Sequence, residues 1–190
     1  MNSEKTFDRI IQAENEPVFS STVNRLIGSY EKNVDSKLRI VMPSQFREKL
    51  GNHPLIMIPW LNRSLAVFPE CNWLPMAEAI SKLDLYTKFG LTVRHQVFAQ
   101  AREVKMDKKE GRIVIPAEMA EYARLNGKTM LLGDWDKITI WNYIYYKDQI
   151  ADDVVSLTER FPKVLQLAKG QITPEAIEAE QADAESEANE

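Results

Sequence analysis

The chain has 190 residues, 44% of them apolar and 27% charged, and 24 Lys and Arg stand against 28 Asp and Glu for a formal charge of −4. That length suits one domain or two small ones. The absence of any run of about 18 apolar residues excludes a membrane-spanning helix, and the lone cysteine, Cys71, excludes an internal disulfide and fits a reducing cytoplasm. The charge is uneven: residues 171–190 hold seven acidic and no basic residues, which leaves 24 − (28 − 7) = +3 for residues 1–170. A mildly basic folded part permits binding to nucleic acid.

Residues 1–27 read as an N-terminal extension. They lack the basic start and apolar core of a secretory signal. Phe7, Ile10 and Ile11 allow a short amphipathic helix or a frayed end. Residues 28–76 form a unit that begins at Gly28-Ser29-Tyr30. A polar turn around Asp35 leads into the β-branched run Arg39-Ile40-Val41-Met42, and Pro43 ends that strand. Pro is accepted in the first turn of a helix, so residues 44–50 read as a helix stopped by Gly51. Residues 55–58 and 65–68 then form a hairpin around Asn62-Arg63-Ser64. Residues 77–97 read as a helical bridge, with a helix from Pro75 that places Met76, Ala79, Ile80 and Leu83 on one side. Two such helices would let the flanking units pack face to face.

Residues 98–150 write the first unit again. With Arg39 set on Arg112, the offset is 112 − 39 = 73 residues, and Ile40, Val41, Met42 and Pro43 fall on Ile113, Val114, Ile115 and Pro116. Further on, Leu65, Val67 and Phe68 fall on Ile138, Ile140 and Trp141. The helix of this copy spans 117–125 and stops at Asn126-Gly127, and Asp134 to Lys137 form its hairpin turn. Two units of about 50 residues would each be marginal alone, so a shared core or further assembly is expected. Residues 151–170 suggest a C-terminal helix interrupted at Pro162. Residues 171–190 read as a disordered acidic tail, because no aromatic residue is present to anchor it.

This arrangement resembles the SpoVT/AbrB-type DNA-binding fold. In tandem it resembles the MraZ family of bacterial transcriptional regulators, whose repeats carry Asp-x-x-Gly-Arg followed by an apolar triplet and Pro. Asp35 to Arg39 keeps that spacing, with Leu38 where Gly is usual. The second copy keeps Gly111-Arg112, but Asp107 lies one residue too far away. Either that loop is longer or Lys108 takes the acidic position. The segment Val67-Phe68-Pro69-Glu70-Cys71-Asn72-Trp73 also resembles the family's aromatic-Pro-x-x-x-Trp. The resemblance covers about residues 28–150. It implies an α+β chain, two pseudo-symmetric SpoVT/AbrB-like β-α-β repeats packed as one compact domain. It also implies a repressor that binds spaced repeats of double-stranded DNA upstream of its own division and cell-wall gene cluster. Such a protein would act as a ring-like homo-oligomer, cytoplasmic and nucleoid-associated.

The basic residues at the two turns are Lys37 and Arg39 in one, and Lys105, Lys108, Lys109 and Arg112 in the other. An Arg fork matches a guanine edge or a phosphate. The resemblance points to Arg39 and Arg112 as base-reading groups, with Lys37, Lys108 and Lys109 on phosphates. Asp35 is expected to orient Arg39 from the protein side. Arg47 is a weaker DNA-binding candidate. The aromatics Trp60, Trp73, Trp135, Trp141, Tyr143, Tyr145 and Tyr146 suit packing better than base stacking, because the apolar residues beside them alternate. His53 and His95, the only histidines, stand in no metal-ligand spacing, and no nucleophile elbow or phosphate-cradling loop is present. No catalytic residue, cofactor, metal, membrane or small-molecule substrate is therefore expected. An antitoxin-like or scaffold module of the same fold, binding a protein partner, is the alternative.

Overall fold

The computed structural model describes residues 25–148, 157–171 and 173. The chain divides after Tyr143 into two compact units. The first unit begins with β1 (Leu26–Val34), β2 (Arg39–Val41), α1 (Ser44–Leu50), β3 (Leu55–Trp60) and β4 (Ser64–Pro69). Next come α2 (Glu70–Ser81) and α3 (Lys88–Gln100). The pattern then repeats as β5 (Arg102–Val104), β6 (Arg112–Val114), α4 (Ala117–Tyr122), β7 (Gly127–Trp135) and β8 (Lys137–Asn142). The single turn α5 (Tyr143–Tyr146) follows, and the second unit carries α6 (Leu157–Ala168).

The two copies do not each close a sheet of their own. The eight strands among the described residues lie in one barrel-like sheet of order β5-β3-β4-β8-β7-β1-β2-β6. Each repeat lends its first strand to the other's hairpin, so β1 pairs with β7 and β5 with β3, both antiparallel. Equivalent strands meet across a pseudo-two-fold axis. On it Ile40 pairs with Ile113, and Ala66 pairs with Thr139. The separations 113 − 40 and 139 − 66 are both 73, the offset of the sequence repeat. Bonds flank the first pair symmetrically: Ile115 N–H donates to the Leu38 carbonyl at 2.8 Å and Met42 N–H to that of Gly111 at 2.9 Å.

Burial follows the period of two. Leu65 and Val67 point into the common core with Ile40, Met42, Phe46, Ile113, Ile115, Met119, Ile138 and Ile140. Ala66 and Phe68 point outward, yet they are buried too. Trp73, Met76, Val97 and Phe98 of α2 and α3 cover them. The bridging helices therefore cover the outer face of the β3–β4 hairpin and do not separate the repeats, which meet directly by strand pairing.

Several local expectations change. β1 begins at Leu26, because pairing with Trp135 and Asp134 of β7 holds Leu26 and Ile27. α2 begins at Glu70, with Pro69 as N-cap and Pro75 inside it, so its first turn takes in residues expected to close repeat one. α4 stops at Tyr122 rather than 125. Leu125 N–H donates to the Ala120 carbonyl and Arg124 N–H to that of Glu121, the double closure that ends a helix through one left-handed residue. That residue is Arg124, with φ of 51°, and Gly127 opens β7 instead. α6 runs through Pro162 without a break. Trp135 is 58% exposed at the β7–β8 turn, unlike the buried Trp73 and Trp141, and Arg25 stacks over it. The expected helix near Phe7 and the acidic tail, apart from Gln171 and Thr173, lie outside the described residues.

Candidate nucleic-acid interface

The first turn is built by the Asp35 carboxylate. Its Oδ1 accepts the backbone N–H groups of Lys37 and Arg39, both at 2.9 Å. Its Oδ2 accepts Nε of Arg39 at 2.7 Å and lies 2.7 Å from Nη2. The hydrogen bond from the Arg39 side chain, then that from its backbone, lowers the Asp35 pKa to about 2. Asp35 thus orients Arg39 from the protein side, as expected. Leu38, at φ of 56°, takes the left-handed position that Gly111 takes, at φ of 67°, in the second turn.

The second turn keeps the backbone design with one residue more. Asp107 N–H donates to the Arg112 carbonyl at 2.7 Å, as Asp35 N–H donates to that of Arg39 at 3.0 Å. Asp107, and not Lys108, therefore holds the acidic position, and the loop is longer. Its Oδ1 accepts the N–H groups of Lys109 and Glu110 at 3.0 and 2.6 Å. The guanidinium of Arg112 pairs with the carboxylate of Glu110, the added residue. The sequence held no signal for that exchange beyond the displaced Asp107.

Between the turns, β2 and β6 make a two-stranded antiparallel ribbon. Ile40 and Ile113 face the core, so Arg39, Val41, Arg112 and Val114 face outward. Arg39 stands opposite Val114 and Arg112 opposite Val41. The two arginines are thus diagonal neighbours, about 7–8 Å apart at their Cα atoms. A surface groove collects Arg39 and Arg112 with Lys105 and Lys109, beside Asp107 and Glu110. Four cationic side chains there meet two carboxylates. Lys105 is only a neighbour of the turn in sequence, and the fold brings it into the groove.

The other candidates lie elsewhere. Lys108 lines a second groove with Arg47, His53, Lys105 and Glu103. Lys37 lines neither. Arg47 is not an open surface cation. It is partly buried, its Nε is enclosed without a hydrogen-bond partner, and its Cδ lies 2.1 Å from where a Cβ on Gly111 would stand. Arg47 packs its stem beneath the opposite turn while it lines the groove with Lys108, a placement that its position on a short charged helix did not reveal.

Comparison with known sequences also finds two copies. The sequence model of the MraZ protein family, described as antitoxin-like, matches residues 26–93 and again 97–166. The transcriptional regulator MraZ of Leuconostoc mesenteroides is 34% identical over 136 residues, 70% of this chain and 94% of the relative. That of Caldicellulosiruptor saccharolyticus is 34% identical over 142 residues, 75% of this chain and 98% of the relative. That of Clostridium tetani is 36% identical over 116 residues, 61% of this chain and 80% of the relative. With both copies matched and the strands of each shared with the other, the chain belongs to the MraZ family.

Proposed function

We propose that this protein is a sequence-specific DNA-binding regulator of transcription, mainly a repressor, that reads duplex DNA with the outer face of the β2–β6 ribbon. The observation that carries this reading is the pair of outward arginines on one pseudo-two-fold ribbon, beside Lys105 and Lys109. A two-stranded ribbon fits the major groove. There an Arg fork matches the guanine edge, and a valine methyl suits the methyl of thymine. Lys37, Lys108 and Lys109 would position the ribbon on phosphates. The relatives' name, regulator of transcription, supports the class. The family resemblance extends the proposal to spaced repeats upstream of the division and cell-wall gene cluster that includes its own gene. It extends it also to a ring-like homo-oligomer, in which linking weak sites raises their effective concentration at the DNA.

The test is a mobility-shift titration on the DNA upstream of the gene at several salt concentrations, with circular dichroism as folding control. Arg39→Ala should bind that DNA roughly ten- to a hundredfold more weakly, the discrimination expected of a bidentate base contact. Lys108→Ala should weaken all duplexes alike and flatten the salt dependence by about 0.9. Parent-like binding by folded Arg39→Ala would remove the ribbon as the reading head. Light scattering on the same samples tests assembly, and a mass near 21.9 kDa would exclude the ring.

The family's antitoxin-like description favours one second reading, capture of a protein partner by the same fold. Failure of the parent to prefer upstream DNA over scrambled duplex would favour it.

A further inference from the structure

The two turns hold their arginines in different ways. Asp35 is part of its turn: both oxygens are engaged, one by backbone N–H groups and one by Arg39. Asp107 is given to the backbone of its own loop, and Arg112 takes its partner from Glu110. Glu110 exists because that loop has four residues between Asp and Arg where the first has three. Its side chain is 49% exposed and is attached to the site through Arg112. It also shares its groove with Arg39 of the other repeat. Asp35 does most to hold the Arg39 guanidinium in its charged form, and the charge of Glu110 adds to that from across the ribbon. One carboxylate therefore lies within the field of both outward arginines, in the groove they share with Lys105 and Lys109.

Resting on the DNA-reading role proposed above, we infer that Glu110 is a displaceable counter-ion that sets the sequence discrimination of the ribbon. An exposed ion pair is weak, so its exchange for another partner costs little. What replaces it decides the effect. On an arbitrary sequence the arginines find mainly phosphate, the source of nearly all non-specific affinity. There Glu110 competes for the same guanidinium and repels the incoming charge. On the right sequence the arginines turn to base edges, which are uncharged, and the carboxylate does little harm. Glu110 thus penalises the wrong complex more than the right one, which is how discrimination rises without a new attractive interaction.

The test is Glu110→Gln, which removes the charge and keeps the shape, with Glu110→Ala beside it. Parent and variants are titrated against the upstream duplex and a scrambled duplex of equal length at several salt concentrations. Scrambled-duplex affinity should rise about three- to tenfold and its salt dependence steepen, by at most about 0.9 for each further phosphate neutralised. Upstream-duplex affinity should change less than about twofold, so the ratio falls. Unchanged scrambled binding would place Glu110 outside the interface and overturn the inference. A loss confined to the upstream duplex would also overturn it, by making Glu110 a base-reading or positioning group. A parent that does not distinguish the two duplexes would remove the DNA-reading role itself, and this inference with it. Discrimination that is unaltered in both variants would remove only the assignment of Glu110.

Discussion

Leu38 holds φ of 56° where the equivalent residue is Gly111, at φ of 67°. A non-glycine residue is strained there, and what lies opposite each turn accounts for the exchange. Arg47 of α1 fills the space beneath Gly111, and a Cβ added at Gly111 would meet its Cδ at 2.1 Å. The residue 73 positions on from Arg47 is Ala120, so the pseudo-two-fold axis puts a small side chain opposite Leu38, which packs against the core. Large under small on one side is thus balanced by small under large on the other. The Asp35 carboxylate below supports a pH prediction. Its folded pKa of about 2 lies beneath its ordinary 3.8, so the stability it contributes is complete above 3.8 and is lost as pH falls through about 2. Asp35→Asn should melt below the parent at pH 6, and the gap should narrow on acidification to pH 2. Melting curves by circular dichroism check this, and a gap of constant size would remove the turn carboxylate as its cause.

α1 and α4 occupy equivalent places and end differently. α1 closes on Gly51, at φ of 55°, which carries no Cβ. α4 closes on Arg124, at φ of 51°, in the position where glycine is favoured. The Arg124 carbonyl accepts from Asn142 at 2.7 Å, a contact of the backbone that glycine would keep. Arg124→Gly should therefore stabilise the protein. Relief of the left-handed conformation, about 1–2 kcal/mol, exceeds the added backbone freedom of glycine in the unfolded chain, about 0.4–1 kcal/mol. A net stabilisation of roughly 0.5–1 kcal/mol should appear as a rise of a few degrees in melting temperature. A fall would show that the Arg124 side chain contributes more than the strain removes.

The first unit is one sheet made from two copies: β1–β2, β3–β4 and β7–β8 pair within a copy, but every other pairing joins one copy to the other. Residues 25–85 without the remainder would leave β1 without β7, β2 without β6 and β4 without β8. They would also expose Ile40, Leu65 and Val67, which the other copy now buries. Truncating a single such side chain to Ala costs about 2–5 kcal/mol, against a total stability of about 5–15 kcal/mol for a typical domain. A second copy of the same half is a poor substitute, since it would bring Arg47 rather than Ala120 beneath Leu38. The isolated half should give a collapsed, poorly dispersed amide spectrum, and adding residues 86–148 should restore native dispersion. A well-dispersed monomeric spectrum from residues 25–85 would show that one repeat folds by itself.

The repeat itself, its 73-residue offset, α1 with its stop at Gly51, both hairpins and the turn role of Asp35 were all legible along the chain. Each depends on interactions within a few residues: a proline's fixed φ, a glycine's freedom, a carboxylate bonding its own turn, an alternation of period two. The shared sheet, the placement of α2 and α3 on the outer face of β3–β4, the packing of Arg47 beneath Gly111 and the meeting of Arg39 with the basic residues of the second turn in one groove were not. They depend on which distant strands pair, and local preference is the same whether β1 joins its own hairpin or the other's. The candidate site divides in the same way. Arg39 and Arg112 could be named from matching turns, because a turn and a strand start are local. That Glu110 replaces Asp107 as the partner of Arg112 follows from how the longer loop folds back over the ribbon, where the backbone of that loop takes Asp107 first.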